Sequence, residues 1–309
     1  MGACFGALLP QSCAPLWEIR GVLPKRLILI RHGESEGNVN RQIYETVPDN
    51  AVHLSKLGWD QGQRAGQVLF EIVGREPATW QDLFLCVRVF FFRILLQIYS
   101  RILAKQVLDA SLRRRARSAS TKVAFIASPY VRARETLNAI KKGGDFNMQF
   151  WHEDPRIREQ DFGNFQDTAK LMSEFKERKG FGRFYYRHPE GGEAPSDVYD
   201  RVSGFIDSLY RSFVDHPADN YVIVTHGVTM RVFLMRWLKQ SVDDFNNSEN
   251  PDNCDFVVLE RCLAGRKYKL KLAQVVKPLT DPPTVLSAMP LRSSGGQSRV
   301  IRDDPPPSQ

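Results

Sequence analysis

Two segments of this chain, LILIRHG at 27–33 and YVIVTHG at 221–227, stay apolar for four residues and then stop at a histidine followed by a glycine. Short continuous aliphatic runs suit strands buried on both faces, as in a parallel sheet covered by helices. The C-terminal ends of parallel strands lie along one edge, where ligands bind in open α/β sheets. Two strands that each end in His-Gly therefore bring His32 and His226 together. A third run, KVAFIASPY at 122–130, reads as another buried strand and leads into a helix from about Pro129 that carries Arg132 and Arg134 in its first turns.

The remaining punctuation agrees with alternating strands and helices. Residues 54–74 show apolar positions at helical spacing and close on Gly74, 195–214 form an amphipathic pattern opened by Pro195, and 228–239 follow the second His-Gly as a helix. CDFVVLERC and KYKLKLAQV flank Ala264-Gly265 as a late strand pair. The expected fold is an α/β three-layer sandwich with a mostly parallel sheet. Residues 1–24 form an N-terminal extension, 25–275 the domain with an insertion at 76–120, and 276–309, rich in Pro, Ser and Gly, a tail expected to be disordered.

Two histidines and two arginines at one sheet edge make an electropositive pocket, and guanidinium forks match phosphoryl oxygens in geometry and charge. A neutral imidazole is a good nucleophile towards phosphorus and a better leaving group than an alkoxide, so it divides phosphoryl transfer into two accessible steps. The residues leave open whether such a site turns over or only binds.

The segments LIRHGESEGN (29–38), SPYVRARETL (128–137), EQDFGNFQ (159–166) and VTHG (224–227), in this order, resemble the histidine phosphatase superfamily, in its phosphoglycerate-mutase-like branch. The likeness runs from about Lys25 to Ala273 and is nearest to the plant and fungal phosphoglycerate-mutase-like proteins. It implies the phosphoglycerate-mutase-like fold and a phosphorylated His32. Arg31, Arg132 and a protonated His226 would complete the phosphate pocket, with Asn38 beside it. Glu159 would act as general acid and then base. It could hold the proton if burial or nearby carboxylate charge raised its pKa. Gly33 and Gly227, directly after the histidines, are expected to open their backbone N–H groups to the anion. The chemistry asks for no metal and no cofactor. His53, His152, His188 and His216 are read as surface or packing histidines.

Two positions depart from the family pattern. Where mutases follow the acid with Arg-His-Tyr, this chain has Gln160, Asp161 and Phe162, which removes a cation suited to a substrate carboxylate and adds a negative charge. Ala194 stands where relatives have Ser, which weakens the cap of the next helix. The expectation is a phosphomonoester hydrolase acting on a small phosphorylated metabolite. A phosphoglycerate-type mutase is the runner-up, and a non-catalytic phosphate-binding or scaffold protein the alternative of another class.

Within the insertion, residues 83–104 hold 17 apolar residues among 22. A membrane span there would put the first strand and the later ones on opposite sides of the bilayer, and Arg93 near its centre would cost about 3 kcal/mol. Arg93, Gln97, Ser100 and Arg101 instead recur at helical spacing, which suits a lid, a partner-binding helix or a membrane-surface helix. The formal net charge of +8 favours anionic partners, but basic patches interleaved with aromatic residues are not evident, so no nucleic-acid partner is expected. Five scattered cysteines without a CxxC pair, and a start that lacks a basic n-region and a long apolar core, point to a reducing, cytoplasmic setting. Gly2 raises N-myristoylation, but position 6 is Gly where that signal has Ser or Thr.

Overall fold

The computed structural model describes residues 23–74, 120–163, 182–264, 267–280 and 283–287, with short pieces at 116, 173–174 and 177–178. The strands are β1 (Arg26–Arg31), β2 (Lys122–Ala127), β3 (Asn147–Glu153), β4 (Asn220–Thr225), β5 (Phe256–Ala264), β6 (Lys267–Lys277) and β7 (Thr284–Ser287). The helices are α1 (Glu36–Val39), α2 (Lys56–Val73), α3 (Val131–Gly143), α4 (Pro195–Asp215), α5 (Gly227–Leu238) and α6 (Val242–Asn247).

One seven-stranded sheet runs β3-β2-β4-β1-β5-β6-β7. β3, β2, β4 and β1 pair in parallel, while β5, β6 and β7 continue the sheet by antiparallel pairing. Alternation along the strands builds two cores. Leu27 and Leu29 join Ile126, Tyr221 and Ile223 under Val202, Phe205 and Phe213 of α4 and Phe233 of α5. Ile28 and Ile30 join Phe125, Val222 and Val224 under Ala65 and Leu69 of α2 and Leu137 and Ile140 of α3. Helices on both faces explain why β1, β2 and β4 carry no polar face, whereas β3 at the sheet edge stays partly exposed. This is the three-layer α/β sandwich that the sequence leads one to expect.

One boundary is corrected. β6 extends to Lys277 and β7 pairs with it along 284–287, so ordered sheet reaches into the stretch read as a disordered tail. The cause is register: Val285 and Leu286 sit opposite Val276 and Val275, a pairing that local composition does not reveal. Residues 83–104 lie outside the described residues, as does nearly all of the insertion, which falls between the end of α2 at Val73 and the start of β2 at Lys122. Among the described residues no helix is long and apolar enough to cross a membrane.

Candidate active site

β1, β2 and β4 end in register, Arg31 opposite Thr225 and Ile30 and Ala127 both opposite Val224. The residues that follow, His32, Ser128 and His226, therefore emerge side by side. The His32 N–H donates to Thr225 O at 2.9 Å and the Ser128 N–H to Val224 O at 3.0 Å, carrying the pairing one residue past the strands. The two imidazole rings stand 5.1 Å apart, centre to centre. Both are buried, His32 at 4% exposure and His226 at 0%.

The partner of the His32 ring fixes its tautomer. His32 Nδ1 lies 2.7 Å from Gly33 O, which can only accept, so Nδ1 carries the proton and Nε2 keeps its lone pair. Burial, then the charges of Arg132 and Arg31, hold the His32 pKa well below the ordinary histidine value. His226 Nε2 is 2.7 Å from Ser128 Oγ. Its pKa is likewise well lowered, by burial first and then by Arg132 and His32. Burial among guanidiniums disfavours the charged form of this ring, so a protonated His226 calls for an anion beside it.

Arg31 donates from Nη1 to Pro251 O at 2.6 Å. Its Nε and the His226 Nδ1 are buried with no hydrogen-bond partner among the described residues. Arg132, second residue of α3 and 4% exposed, pairs with Asp49 and lies over the Tyr130 ring at 4.9 Å. Burial works against the Arg132 charge, but Asp49 more than offsets it and raises the pKa. Arg134, two residues on, points away; it is about half exposed and faces Glu153 at 3.5 Å.

Glu159 reaches the same edge from the loop after β3. Its carboxylate accepts from the Gln160 N–H at 3.0 Å and from the Thr229 N–H and hydroxyl, both at 3.3 Å, at the first turn of α5 beside His226. The loop hangs on side chains. Arg201 of α4 donates to the carbonyls of Arg156, Arg158 and Glu159 at 2.7, 2.9 and 3.0 Å. Thr225 Oγ1 donates to Ile157 O and Thr229 Oγ1 to Arg158 O. Glu193 anchors Arg201 in turn, with Arg158 on its other side. Burial alone would raise the Glu193 pKa, but the hydrogen bond and charge of Arg201 bring it below the usual value.

The glycines and Asn38 each meet close neighbours in the fold. The Gly33 N–H is given to Thr136 Oγ1 at 3.0 Å rather than to the pocket. What that position supplies is room, since a Cβ there would sit 2.6 Å from Gly58 O of α2. A Cβ on Gly227 would strike the Asn250 side chain. Asn38 Oδ1 accepts from the Ser35 N–H at 3.1 Å and from Asn253 Nδ2 at 3.3 Å, so it braces the loop after β1. Asn253 also donates to His32 O at 3.0 Å. Gln160 is fully buried with Nε2 on Glu193 O, while Asp161 is exposed. At the cap that Ala194 leaves weak, Asp197 instead accepts from the Ala194 N–H at 2.6 Å. His53 is exposed against Glu135, His152 and His216 flank Phe150, and His188 packs between Phe162 and Tyr186.

Sequence reasoning misses Asp49, Ser128, Glu193, Arg201 and Asn253. Only Ser128 stands within a motif that points at the pocket; the others lie far along the chain and carry no spacing signal. Among the described residues no three His, Cys, Asp or Glu side chains gather as a metal site would require.

Two buried imidazoles at the end of a parallel sheet, with the Arg31 and Arg132 guanidiniums beside them, form an electropositive edge suited to an anionic group. A family model, the histidine phosphatase superfamily (branch 1), matches residues 109–272, just over half of the chain. The phosphoglycerate mutase-like protein AT74 of Arabidopsis thaliana is 39% identical over 250 residues, covering 77% of this chain and 66% of that protein, slightly under two thirds of its length. The broad-range acid phosphatase DET1 of Saccharomyces cerevisiae is 29% identical over 315 residues, covering 80% and 89%. Among solved structures, a mycobacterial glucosyl-3-phosphoglycerate phosphatase superposes with a TM-score of 0.51 at 19% identity, covering 80% of this chain and 97% of its own, a likeness of fold. The chain belongs to the histidine phosphatase superfamily.

Proposed function

We propose that this protein is a phosphomonoester hydrolase that works through phosphorylated His32. The observation that carries this reading is the neutral His32, Nε2 lone pair available, 5.1 Å from His226 and flanked by the Arg31 and Arg132 charges. The likeness to a yeast acid phosphatase supports it.

His32 Nε2 attacks phosphorus and the bond from phosphorus to the ester oxygen breaks. Glu159 serves as the general acid that gives a proton to the departing alkoxide, so the alcohol leaves neutral. The Glu159 carboxylate then takes a proton from water, whose oxygen attacks the phosphohistidine and returns His32 with release of inorganic phosphate. Through both steps Arg31, Arg132 and the His226 Nδ1 edge face the phosphoryl oxygens, a role of positioning and charge stabilisation rather than covalent chemistry. His226 is neutral without ligand, and an anionic phosphoryl group beside it raises its proton affinity as charge shifts.

Hydrolysis is favoured over mutase chemistry because neither position after Glu159 offers a cation to a substrate carboxylate: Gln160 is committed to Glu193 and Asp161 is negative. The test is a screen of phosphomonoesters with purified protein and its His32→Ala variant. Labelled substrate is quenched without acid to trap phosphohistidine, and 3-phosphoglycerate is offered with bisphosphate primer. Phosphate release that vanishes in His32→Ala, with negligible 2-phosphoglycerate, is expected. Turnover that survives His32→Ala would remove the nucleophile, and efficient interconversion without phosphate release would make it a mutase.

A further inference from the structure

Arg132 is held from two directions by groups that no catalytic step requires. Its Nη1 donates to both Asp49 O at 2.5 Å and Asp49 Oδ1 at 2.9 Å, and its Nη2 to Asp49 Oδ2 at 3.3 Å. Its flat face lies over Tyr130, which meets His226 edge-on at 5.1 Å. A guanidinium presents five N–H groups in one plane. Asp49 engages the terminal edge, between the two amino nitrogens. The side edge, formed by Nε–H and the second Nη2–H, is a separate bidentate fork of the kind that phosphate accepts.

We propose that Asp49 is the positioning residue of the phosphate site, fixing Arg132 by its terminal edge so that the side edge meets the phosphoryl group. Held in this pose, Arg132 is the charge that acts most strongly on both imidazoles. An Asp49 that merely occupied the seat of the phosphate would have to leave, and its stretch is pinned against leaving. One turn further along α3, Glu135 binds His53 Nδ1 and the Leu54 N–H, each at 2.7 Å. Arg132 and Glu135 thus tie the stretch between α1 and α2 at two points on one helical face, beside the buried Val52 and Leu54. A pre-ordered guanidinium loses less freedom when the anion arrives, which is where the affinity gain originates.

This inference rests on the phosphatase reading, and the experiment separates the two. The full chain is titrated calorimetrically with inorganic phosphate as wild type, Asp49→Ala, Asp49→Asn, Arg132→Ala and the Asp49→Ala/Arg132→Ala pair. Asp49→Ala should weaken phosphate roughly tenfold, whereas Asp49→Asn, which still offers oxygen to Nη1, should stay within about threefold. In the Arg132→Ala background, Asp49→Ala should change the affinity less than about twofold, because the partner it acts through is gone. On nitrophenyl phosphate, KM should rise in Asp49→Ala more than kcat falls. Phosphate binding by Asp49→Ala as tight as wild type or tighter would make Asp49 a competitor and overturn the inference. An equal loss in the Arg132→Ala background would assign the effect to folding and overturn it as well. A wild-type protein that binds no phosphate would refute the phosphatase reading itself, and this inference with it.

Discussion

The floor of the pocket and its walls are fixed by different means. On the floor, His32, Ser128 and His226 stand where three parallel strands end in register, so the backbone pairing that builds the core also sets their spacing. On the walls, Glu159 and Arg132 owe their places to side chains from distant parts of the chain: Arg201 and Glu193 behind the Glu159 loop, Asp49 in front of Arg132. A floor built from a buried sheet resists local change because its hydrogen bonds are shared among strands. A wall hung on a few charged side chains depends on each of them. The placement of His32 is thereby insulated from changes that shift the Glu159 loop or Arg132.

The largest effect that sharpens this contrast is expected at Glu159. Glu159→Gln should slow esters of poorly acidic alcohols by roughly 10²–10⁴, the range for a positioned proton donor. Nitrophenyl phosphate, whose phenolate leaves with little help, should be affected far less. Equal slowing of both substrates would make Glu159 a binding group and erase its distinction from the arginines.

The next effect compares wall and floor directly. Arg201→Ala removes donors from three loop carbonyls and the main partner of the Glu193 carboxylate, which should cost about 3 kcal/mol of stability and about 10²-fold in kcat. Ser128→Ala, on the floor, removes one hydrogen bond to His226 and should cost about 1 kcal/mol and less than about tenfold in kcat. Urea unfolding and steady-state kinetics on both variants settle it. Arg201→Ala with wild-type kcat would mean that the Glu159 loop holds itself.

The smallest effect is a pH dependence of stability. His32 and His226 have folded pKa values well below 6.5, so above that pH they are neutral in both states and carry no penalty. As pH falls through 6.5 the unfolded chain takes up protons that the buried rings refuse, and stability declines. Each ring should contribute up to about 1.4 kcal/mol of loss between pH 7.5 and 5.5. Measured over that interval, His226→Gln should lose less stability than wild type by about that amount. The same loss in both proteins would show that His226 is protonated in the fold.

Much of the floor is legible in the residues alone. Period and composition mark β1, β2 and β4 as buried on both faces, and the two His-Gly endings follow directly, since parallel strands share an edge. The state of His226 is not legible, because its charge depends on complete burial beside Arg132, and neither property is written in VTHG. The glycines illustrate the same limit: Gly33 marks a tight place, but only the approach of α2 shows that the tightness serves packing.

The sequence by itself determined the alternation of strands and helices, the identity of the nucleophile candidate and the edge at which it stands, because these follow from local pattern and strand direction. Tertiary structure alone decided which carboxylate faces Arg132, which arginine carries the Glu159 loop and that β7 joins the sheet beyond Lys277. Asp49 and Arg132 are 83 residues apart and Arg201 and Glu159 are 42 apart. Such pairings depend on how helices dock on the sheet, and docking is set by the whole core rather than by any stretch of sequence near the residues it brings together.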